Sequence, residues 1–443
     1  MSSLGESGIV GGGIGGMTLA LSLHDAGFRQ VDVYESASSV KELGVGINVL
    51  PHATRELTEL GLLNDLAVVG IPTRELAYYS KHGQRIWSEP RGIAAGYRWP
   101  QFSIHRGKLL GVLHRAVIER LGAERVHPGH HLSRFGQVRD GVWADFVDRV
   151  SSVARAHIET DLLVGCDGIH SAVRRAVFPN EGPPKWNGIT MWRALTEGKP
   201  FLSGRTMIMA GSLGRQVIVY PISGREAQGT ALINWVADFK NGADQPMPVQ
   251  DWEYTARIEE VLAPFKSFIF DFLDVPALIR GAKTIYQYPM VDRDPLPTWN
   301  FGRVTLLGDA AHSMYPIGSN GASQAIIDAR VLARELVLQP SIQQAIAAYE
   351  AQRRPQTAAV VFANRQGGPE KCIDIVEQRA PDGFDDLDAV ISRAELEEIS
   401  HSYKRTAGFD PEILNDRPSL GLDSTARPRG DVTATRENLK EMV

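Results

Sequence analysis

Two cysteines in 443 residues are too few for a disulfide scaffold. Cys166 and Cys372 stand far apart and outside any CxxC pair. A reducing, cytoplasmic setting is therefore expected, and both thiols read as buried structural groups. Long apolar runs are missing too. No stretch approaches the roughly 20 residues needed to cross a bilayer, and no basic-then-apolar order of signal-peptide type opens the chain. Neither sign of charge dominates: 47 Lys and Arg against 52 Asp and Glu give a net charge of −5. That balance gives no reason to expect nucleic acid or an anionic membrane as partner. No internal repeat is present. What remains is an ordinary globular composition, 43% hydrophobic and 22% charged, on a chain long enough for two intertwined domains. A monomer or a homodimer would satisfy these numbers.

Glycine is placed with purpose near the start. Ile9-Val10 leads into GGGIGG, then a helical apolar spacing, then the strand VDVYE. Gly11, Gly13 and Gly16 have GxGxxG spacing, with Ile14 and Gly15 between them. Such a loop allows a tight turn, backbone approach to a pyrophosphate, and close helix–strand packing. The following helix N-terminus offers free N–H groups and partial positive charge. Glu35 ends the second strand, where a carboxylate can bind ribose hydroxyls. The first strand is expected to be unusually short, because GES-G precedes Ile9.

Other candidate positions follow along the chain. Gly44-Val45-Gly46-Ile47 suits a backbone pressed against a flat ring, or a plain turn. Arg106 sits at an apparent helix start, either paired with a pyrophosphate or simply on the surface. Asp167, in CDGIHSAVRRAV, reads as a nucleotide-crevice carboxylate, a helix cap, or both. In VTLLGDAAHSMYPIGSNGASQA, Asp309 closes a strand where it can accept bonds from a ribityl hydroxyl. Beyond Pro316, the N–H groups of Gly321 and Ala322 can face an electron-rich ring edge. Pro316, Gly321 and Ala322 are thus the catalytic candidates. His127, His130 and His131 read as a solvated loop rather than a metal site, since no ligand spacing surrounds them. Asp292-Arg293-Asp294 reads as an ion-paired connection among prolines. His312 is either a proton-transfer group or a satisfied structural histidine.

The pattern changes between Pro184 and Pro289. ITMWRALT, TMIMAG, QVIVYPI and ALINWVADF alternate as antiparallel strands do. Helical patterns are expected over His52–Leu66, Gly107–Leu121, Trp252–Leu262, Phe265–Leu273 and about Ala322–Asn364, and a buried strand over Leu162–Gly165. The expected division is a discontinuous nucleotide domain over 1–183 and 290–375, a β-rich insert over 184–289, and a C-terminal extension over 376–443. The extension reads as partly disordered, loose after about Phe409.

GGGIGG with Glu35, CDGIHSAVR and LLGDAAHSMYP occur in this order over roughly residues 8–365. Together they resemble the group A flavoprotein aromatic hydroxylases, the family of p-hydroxybenzoate and salicylate hydroxylases. LGVGIN, WSEPRG, SIHRG, GITMWR, INWV, YPMVDRDPLP and MYPIGSNGASQAI bring the chain nearest to the family's phenazine-modifying branch, which acts on 5-methylphenazine-1-carboxylate with loss of the carboxylate. The resemblance implies an α/β fold: a Rossmann-like FAD-binding domain of glutathione-reductase type with an inserted β-rich substrate domain. It also implies FAD, NADH or NADPH as transient co-substrate, and oxygenation of a small aromatic ring by O₂ through a flavin C4a-hydroperoxide.

The substrate would lie between flavin and sheet. Trp192, Arg193, Tyr220, Trp235 and Tyr288 are the lining candidates, with Arg193 suited to a carboxylate. Each aromatic has ordinary sheet core as its competing reading. An epoxidase or a hydroxylase of a polyketide or alkaloid is the alternative on the same scaffold. A non-catalytic binding protein is a remoter alternative, disfavoured by Asp309 and the intact glycine loop, and so is a NAD-dependent dehydrogenase, which would need no GD segment. Departures from the family pattern are the short first strand, Ser36 after Glu35, and the longer C-terminal tail.

Overall fold

The computed structural model describes residues 5–39, 44–224, 229–242, 246–248 and 254–422. Its nucleotide half is a five-stranded parallel sheet. The order is Val304–Leu306, Leu162–Gly165, Glu6–Val10, Gln30–Glu35 and Val126–Pro128. The central strands read as nearly continuous apolar runs because both faces are covered, one by helices and the other by the antiparallel strands His131–Gln137, Val142–Val147 and Ala154–Thr160. The Ile14–Asp25 helix packs against Gly321–Leu338 on one side and Arg106–Leu121 on the other. The strand Leu162–Gly165 falls where the sequence placed it.

The first strand runs from Glu6 to Val10, longer than expected. A ladder needs backbone groups, and Ser7 and Gly8 suit a crowded position. A Cβ at Gly8 would stand 3.2 Å from Leu163. The Asp161 carboxylate accepts the Gly5 N–H at 2.7 Å and anchors the strand's start.

The second half is a seven-stranded sheet. Its order is Ile285–Asp292, Lys185–Gly198, Ala231–Lys240, Arg215–Pro221, Thr206–Ser212, Glu75–Ser80 and Arg85–Pro90. The last two strands come from outside the 184–289 interval, and Glu75–Ser80 joins in parallel. Strand alternation gives this sheet two faces. Ala194, Val217, Val219 and Trp235 point to an outer core with Val261, Phe265, Leu278 and Ile279. Met191, Ile218, Tyr220 and Val236 point inward, toward Tyr315, Ile317 and the C-terminal helices.

Three sequence expectations need correction. The 52–66 helix is two, Pro51–Glu59 and Leu63–Val69, broken where Gly61 takes φ +77°. Phe265–Leu273 is not helical: Ile269–Phe270 pairs with Leu273–Asp274, and the helix is Val275–Gly281. Asp274 caps it by accepting the Ala277 N–H at 2.8 Å, with Pro276 in the first turn. The other helix expected here begins at Ile258 among the described residues; Trp252 lies outside them.

The tail is not loose directly after Phe409. Phe409 and Leu414 are buried, and Pro411–Asp416 is helical. The Arg55 guanidinium donates to the Leu414 carbonyl at 3.0 Å. The expected disorder over 423–443 lies outside the described residues.

Candidate active site

The glycine loop has a separate requirement at each position. Gly11 takes φ +108°, and a Cβ there would sit 2.5 Å from the Cys166 carbonyl. A Cβ at Gly16 would sit 1.9 Å from the Gly11 carbonyl, so helix and strand cross with no room for a methyl group. A Cβ at Gly13 would meet nothing within 4 Å: this backbone faces open space. No side chain among the described residues caps the Ile14–Asp25 helix, so its first N–H groups point at the same space. Glu35 accepts from Gly12 N at 2.7 Å and Ala37 N at 2.7 Å, which fixes the loop from the next strand.

Asp167 is a cap. Its carboxylate accepts from Ser171 Oγ at 2.5 Å and Ala172 N at 2.6 Å, at the mouth of the parallel sheet. Burial pushes its pKa up, and these bonds oppose the shift. Seven residues on, Arg174 is buried and donates to the Ala310 and Ala311 carbonyls at 3.0 and 3.1 Å. It ties the CDG segment to the GD segment. No sequence motif marks Arg174 for this role.

Asp309 and Arg106 face one another's field across a crevice. Burial raises the Asp309 pKa, while His312 and Arg106 pull it down. Burial lowers Arg106, with Asp309 opposing and Arg193 assisting. Yet both side chains are exposed by surface area. Both groups line a cleft, ringed by protein atoms but reachable by solvent. Pro316 is exposed on the same account, amid buried neighbours Tyr315 and Ile317.

Beneath this wall lies a buried triad. Asp328 accepts from His312 Nε2, Arg353 Nε at 2.7 Å and Gly308 N at 3.1 Å. Burial would raise Asp328, but His312 and Arg353 hold it at about 2. His312 is therefore positioned by a carboxylate, the structural one of its two readings. The Asp292-Arg293-Asp294 turn is ion-paired as expected: Arg365 bridges Asp292 at 2.7 Å and Asp294 at 2.9 Å. His127 bonds Asp32 at 2.7 Å and stacks on Tyr34. Of the two thiols, Cys372 is buried and Cys166 only half-buried.

The turn after Pro316 ends at the Gly321–Leu338 helix, whose N-cap Asn320 makes no side-chain capping bond. A Cβ at Gly321 would lie 3.9 Å from the Asp309 carboxylate, so Asp309 and this N-terminus share one wall. Tyr403 braces the turn from the C-terminal extension. Its hydroxyl donates to Asn364 Oδ1 at 2.8 Å and accepts from Asn320 Nδ2 at 3.0 Å. Nothing in the sequence pointed to Tyr403, because its partner Asn320 lies 83 residues away and no local pattern encodes the pairing.

On the sheet side, strand parity divides the lining candidates. Arg193, Tyr220 and Tyr288 are on the inward face. Trp192 and Trp235 are not: they belong to the outer core, their indoles donating to Gln287 Oε1 at 2.8 Å and Thr196 Oγ1 at 3.0 Å. A period of two puts 192 opposite to 193, so both tryptophans are sheet core and not lining. Arg193 donates to the Gly46 carbonyl at 2.9 Å, and its buried Nε has no partner. Asn234, not singled out in the sequence, accepts the Gly46 N–H at 2.6 Å. A Cβ at Gly46 would collide with Asn234 at 2.6 Å. Val45 pins the next element, its carbonyl accepting the Arg106 N–H at 2.9 Å.

The inward face is reachable. Met191, Ile218 and Val236 keep 8, 8 and 9% exposure, whereas their outward neighbours Ala194, Val217 and Val219 keep 0, 1 and 0%. Through the Arg193 bond to Gly46 and the Val45 bond to Arg106, this face adjoins the wall that carries Arg106 and Asp309.

The FAD binding domain family matches residues 6–364. The chain belongs to this FAD-binding family. It is 48% identical over 359 residues to phenazine 1,6-dicarboxylic acid hydroxylase PhzS of Lysobacter antibioticus, covering 81% of this chain and 88% of that one. It is 30% identical over 422 residues to 3-amino-4-hydroxybenzoate 2-monooxygenase of Streptomyces cremeus, covering 93% and 98%. Klebsiella pneumoniae HpxO, solved with FAD and uric acid, shares the fold at TM-score 0.72 and 24% identity, covering 92% of this chain and 98% of that one. A salicylate hydroxylase substrate complex does so at 0.69 and 22%, covering 95% and 100%. This member of the FAD-binding family is a flavin-dependent monooxygenase of aromatic-hydroxylase type. No helix of the described residues is long and apolar enough to cross a membrane.

Proposed function

We propose that this monooxygenase hydroxylates a flat, carboxylate-bearing aromatic or heteroaromatic ring, using NADH or NADPH as transient electron donor and O₂ as co-substrate. The observation that carries the reading is Arg193: a guanidinium on the inward sheet face with a buried, unpartnered Nε. An unmet donor of a charged group costs free energy unless a ligand satisfies it, and a carboxylate fits a guanidinium best. The 48% identity to a hydroxylase of a phenazine dicarboxylic acid makes phenazine carboxylic acids the first substrates to test.

The residues present fit FAD. Open backbone at Gly13, with Ile14, Gly15 and Gly16 starting an uncapped helix, suits a pyrophosphate. Glu35 suits the adenosine ribose, with Arg106 and Asp167 lining the path between. Asp309, exposed in the cleft and without a side-chain hydrogen bond among the described residues, suits a ribityl hydroxyl. Val45, Gly46, Gly321 and Ala322 suit the ring end. Bound FAD supplies the redox chemistry that activates O₂.

The protein's own tasks are positional. The uncapped N-terminus at Gly321 and Ala322 stabilises negative charge on a neighbouring ring. Pro316, Met191, Ile218 and Val236 exclude water from the oxygenation site. Arg193 orients the carboxylate, with Tyr220 and Tyr288 beside it. Burial pushes the Tyr220 phenol up to about 12, with Arg193 opposing, so it remains a neutral hydrogen-bonding group. The inward face of the sheet, including Glu75–Ser80 and Arg85–Pro90, is the substrate-binding unit of this reading. Two free thiols and a nicotinamide donor suit a cytoplasmic enzyme. NAD(P)H oxidation and product mass, measured across phenazine carboxylates and hydroxybenzoates, test the reading. Absence of any oxygenated product from every carboxylated ring would overturn it.

A further inference from the structure

Two buried carboxylates meet here: Asp238 on the inward sheet face and Glu370 on the short turn Gly368–Glu370 packed against it. Asp238 and Gln216 are cross-strand partners, in register with Met191 on the other side. Gln216 Nε2 donates to Glu370 Oε2 at 2.7 Å and Asp238 Oδ2 at 3.4 Å, bridging the pair. Gly318 N, two residues beyond Pro316, donates to Glu370 Oε1 at 3.4 Å. All three side chains are 2–3% exposed. Among the described residues, Asp238 Oδ1 and Gln216 Oε1 have no partner. Buried acceptors without donors call for one, whether a proton, a water or a ligand group.

Their place on the sheet is informative. Asn234 and Tyr220 lie four residues along the same strands, roughly 13 Å away. Between the two rows lie Val236 and Ile218, the reachable apolar floor. Arg193, paired with Val236, stands beside that floor. A flat ring lying on it has a cation at one side and an acceptor cluster at the end toward Gly318.

We propose that Glu370, Gln216 and Asp238 form an acceptor site for a hydrogen-bond donor on the aromatic substrate, a hydroxyl, amino or ring N–H, and take its proton as the ring is oxygenated. In that step the donor's O–H or N–H bond breaks and the proton passes to a carboxylate oxygen. The electron pair stays on the substrate heteroatom, where it enriches the ring for attack by electrophilic oxygen. The site rests on the aromatic-carboxylate reading given above.

The surroundings suit this role. Burial pushes Asp238 up to about 7, with Glu370 adding to the rise and Gln216 and Arg193 opposing it. Burial likewise pushes Glu370 up to about 7, opposed by Gln216 and the Gly318 N–H. Tyr78, Cys372 and Tyr403 also face Glu370, all with pKa values raised by burial, so they stay neutral while the pair titrates.

The test uses FAD-loaded native protein and the variants Asp238→Asn and Glu370→Gln. Two probes are titrated by flavin absorbance: 6-hydroxyphenazine-1-carboxylic acid and its O-methyl ether. Native protein should prefer the hydroxyl compound by at least about tenfold, and each variant by less than about twofold, at unchanged FAD content. An infrared pH difference spectrum should show a protonated carboxyl band in native protein that each variant weakens. Native protein that binds both probes alike, or variants that keep the preference, would overturn the proposal. Protein that binds neither probe contradicts the substrate reading instead, and the carboxyl band then decides the acid pair: its absence overturns it, its loss in the variants supports it.

Discussion

Asp309 concentrates the claim at the scale of one residue. Its carboxylate stands at a strand end, shares a wall with the Gly321 N-terminus, and sits in the field of Arg106. Asp309→Ala should cut FAD occupancy of purified protein by about tenfold or more, equivalent to roughly 1.4 kcal/mol of binding. The ratio of flavin to protein absorbance checks this, with circular dichroism unchanged. Arg193→Met should raise KM for a carboxylated ring by about tenfold while leaving FAD content alone. An equal effect on an uncarboxylated analogue would show that Arg193 acts through packing. Asp309 and Arg193 were legible from sequence because strand ends and alternating strands leave marks in the residue order. Arg174, Asn234 and Tyr403 were not, since their partners lie 136, 188 and 83 residues away and no local pattern encodes such pairings.

At the scale of elements, glycine and parity decide what can pack. Gly16→Ala would drive a methyl group to 1.9 Å from a backbone carbonyl that cannot rotate away. A loss on the order of 3 kcal/mol is expected, read as a lower unfolding midpoint together with weaker FAD binding. The three helices that carry His312, Asp328 and Arg353 make a second prediction. Asp328→Asn leaves the buried Arg353 guanidinium short of its counter-charge and should cost about 3–5 kcal/mol in urea unfolding. Parity also explains the misplaced tryptophans. The alternation that identified these strands carried the information that 192 and 193 face opposite ways. Which parity faced the cofactor depended on the helix Val275–Gly281 covering the other side. That helix was misplaced in the sequence reading because its capping Asp274 and Pro276 fell just past the apolar run taken for it.

At the scale of the whole molecule, the order of glycine loop, CDG and GD segments fixed the nucleotide half before any coordinates. The limits of the sheet were less legible. Residues 75–90 join it in space although a long segment of the nucleotide half separates them from its other strands in sequence. Two buried acid systems give stability opposing pH dependences. Asp328, held at about 2, contributes stability above its unfolded value of about 4, lost as pH falls toward 2. Asp238 and Glu370, pushed up to about 7, contribute the reverse: their share is full below about 4 and is lost as pH rises through 7. Denaturant midpoints measured across that upper range should fall for native protein and fall less for Glu370→Gln.

The central claim is that this crevice holds FAD and uses it to place an oxygen atom on a carboxylated aromatic ring. FAD-loaded protein, NADH or NADPH, isotopically labelled O₂ and a phenazine carboxylic acid, followed by product mass, test it most directly. The account predicts one labelled oxygen atom in the product. Nicotinamide oxidation that yields only hydrogen peroxide with every carboxylated ring, or a colourless protein that fails to take up FAD, would contradict it.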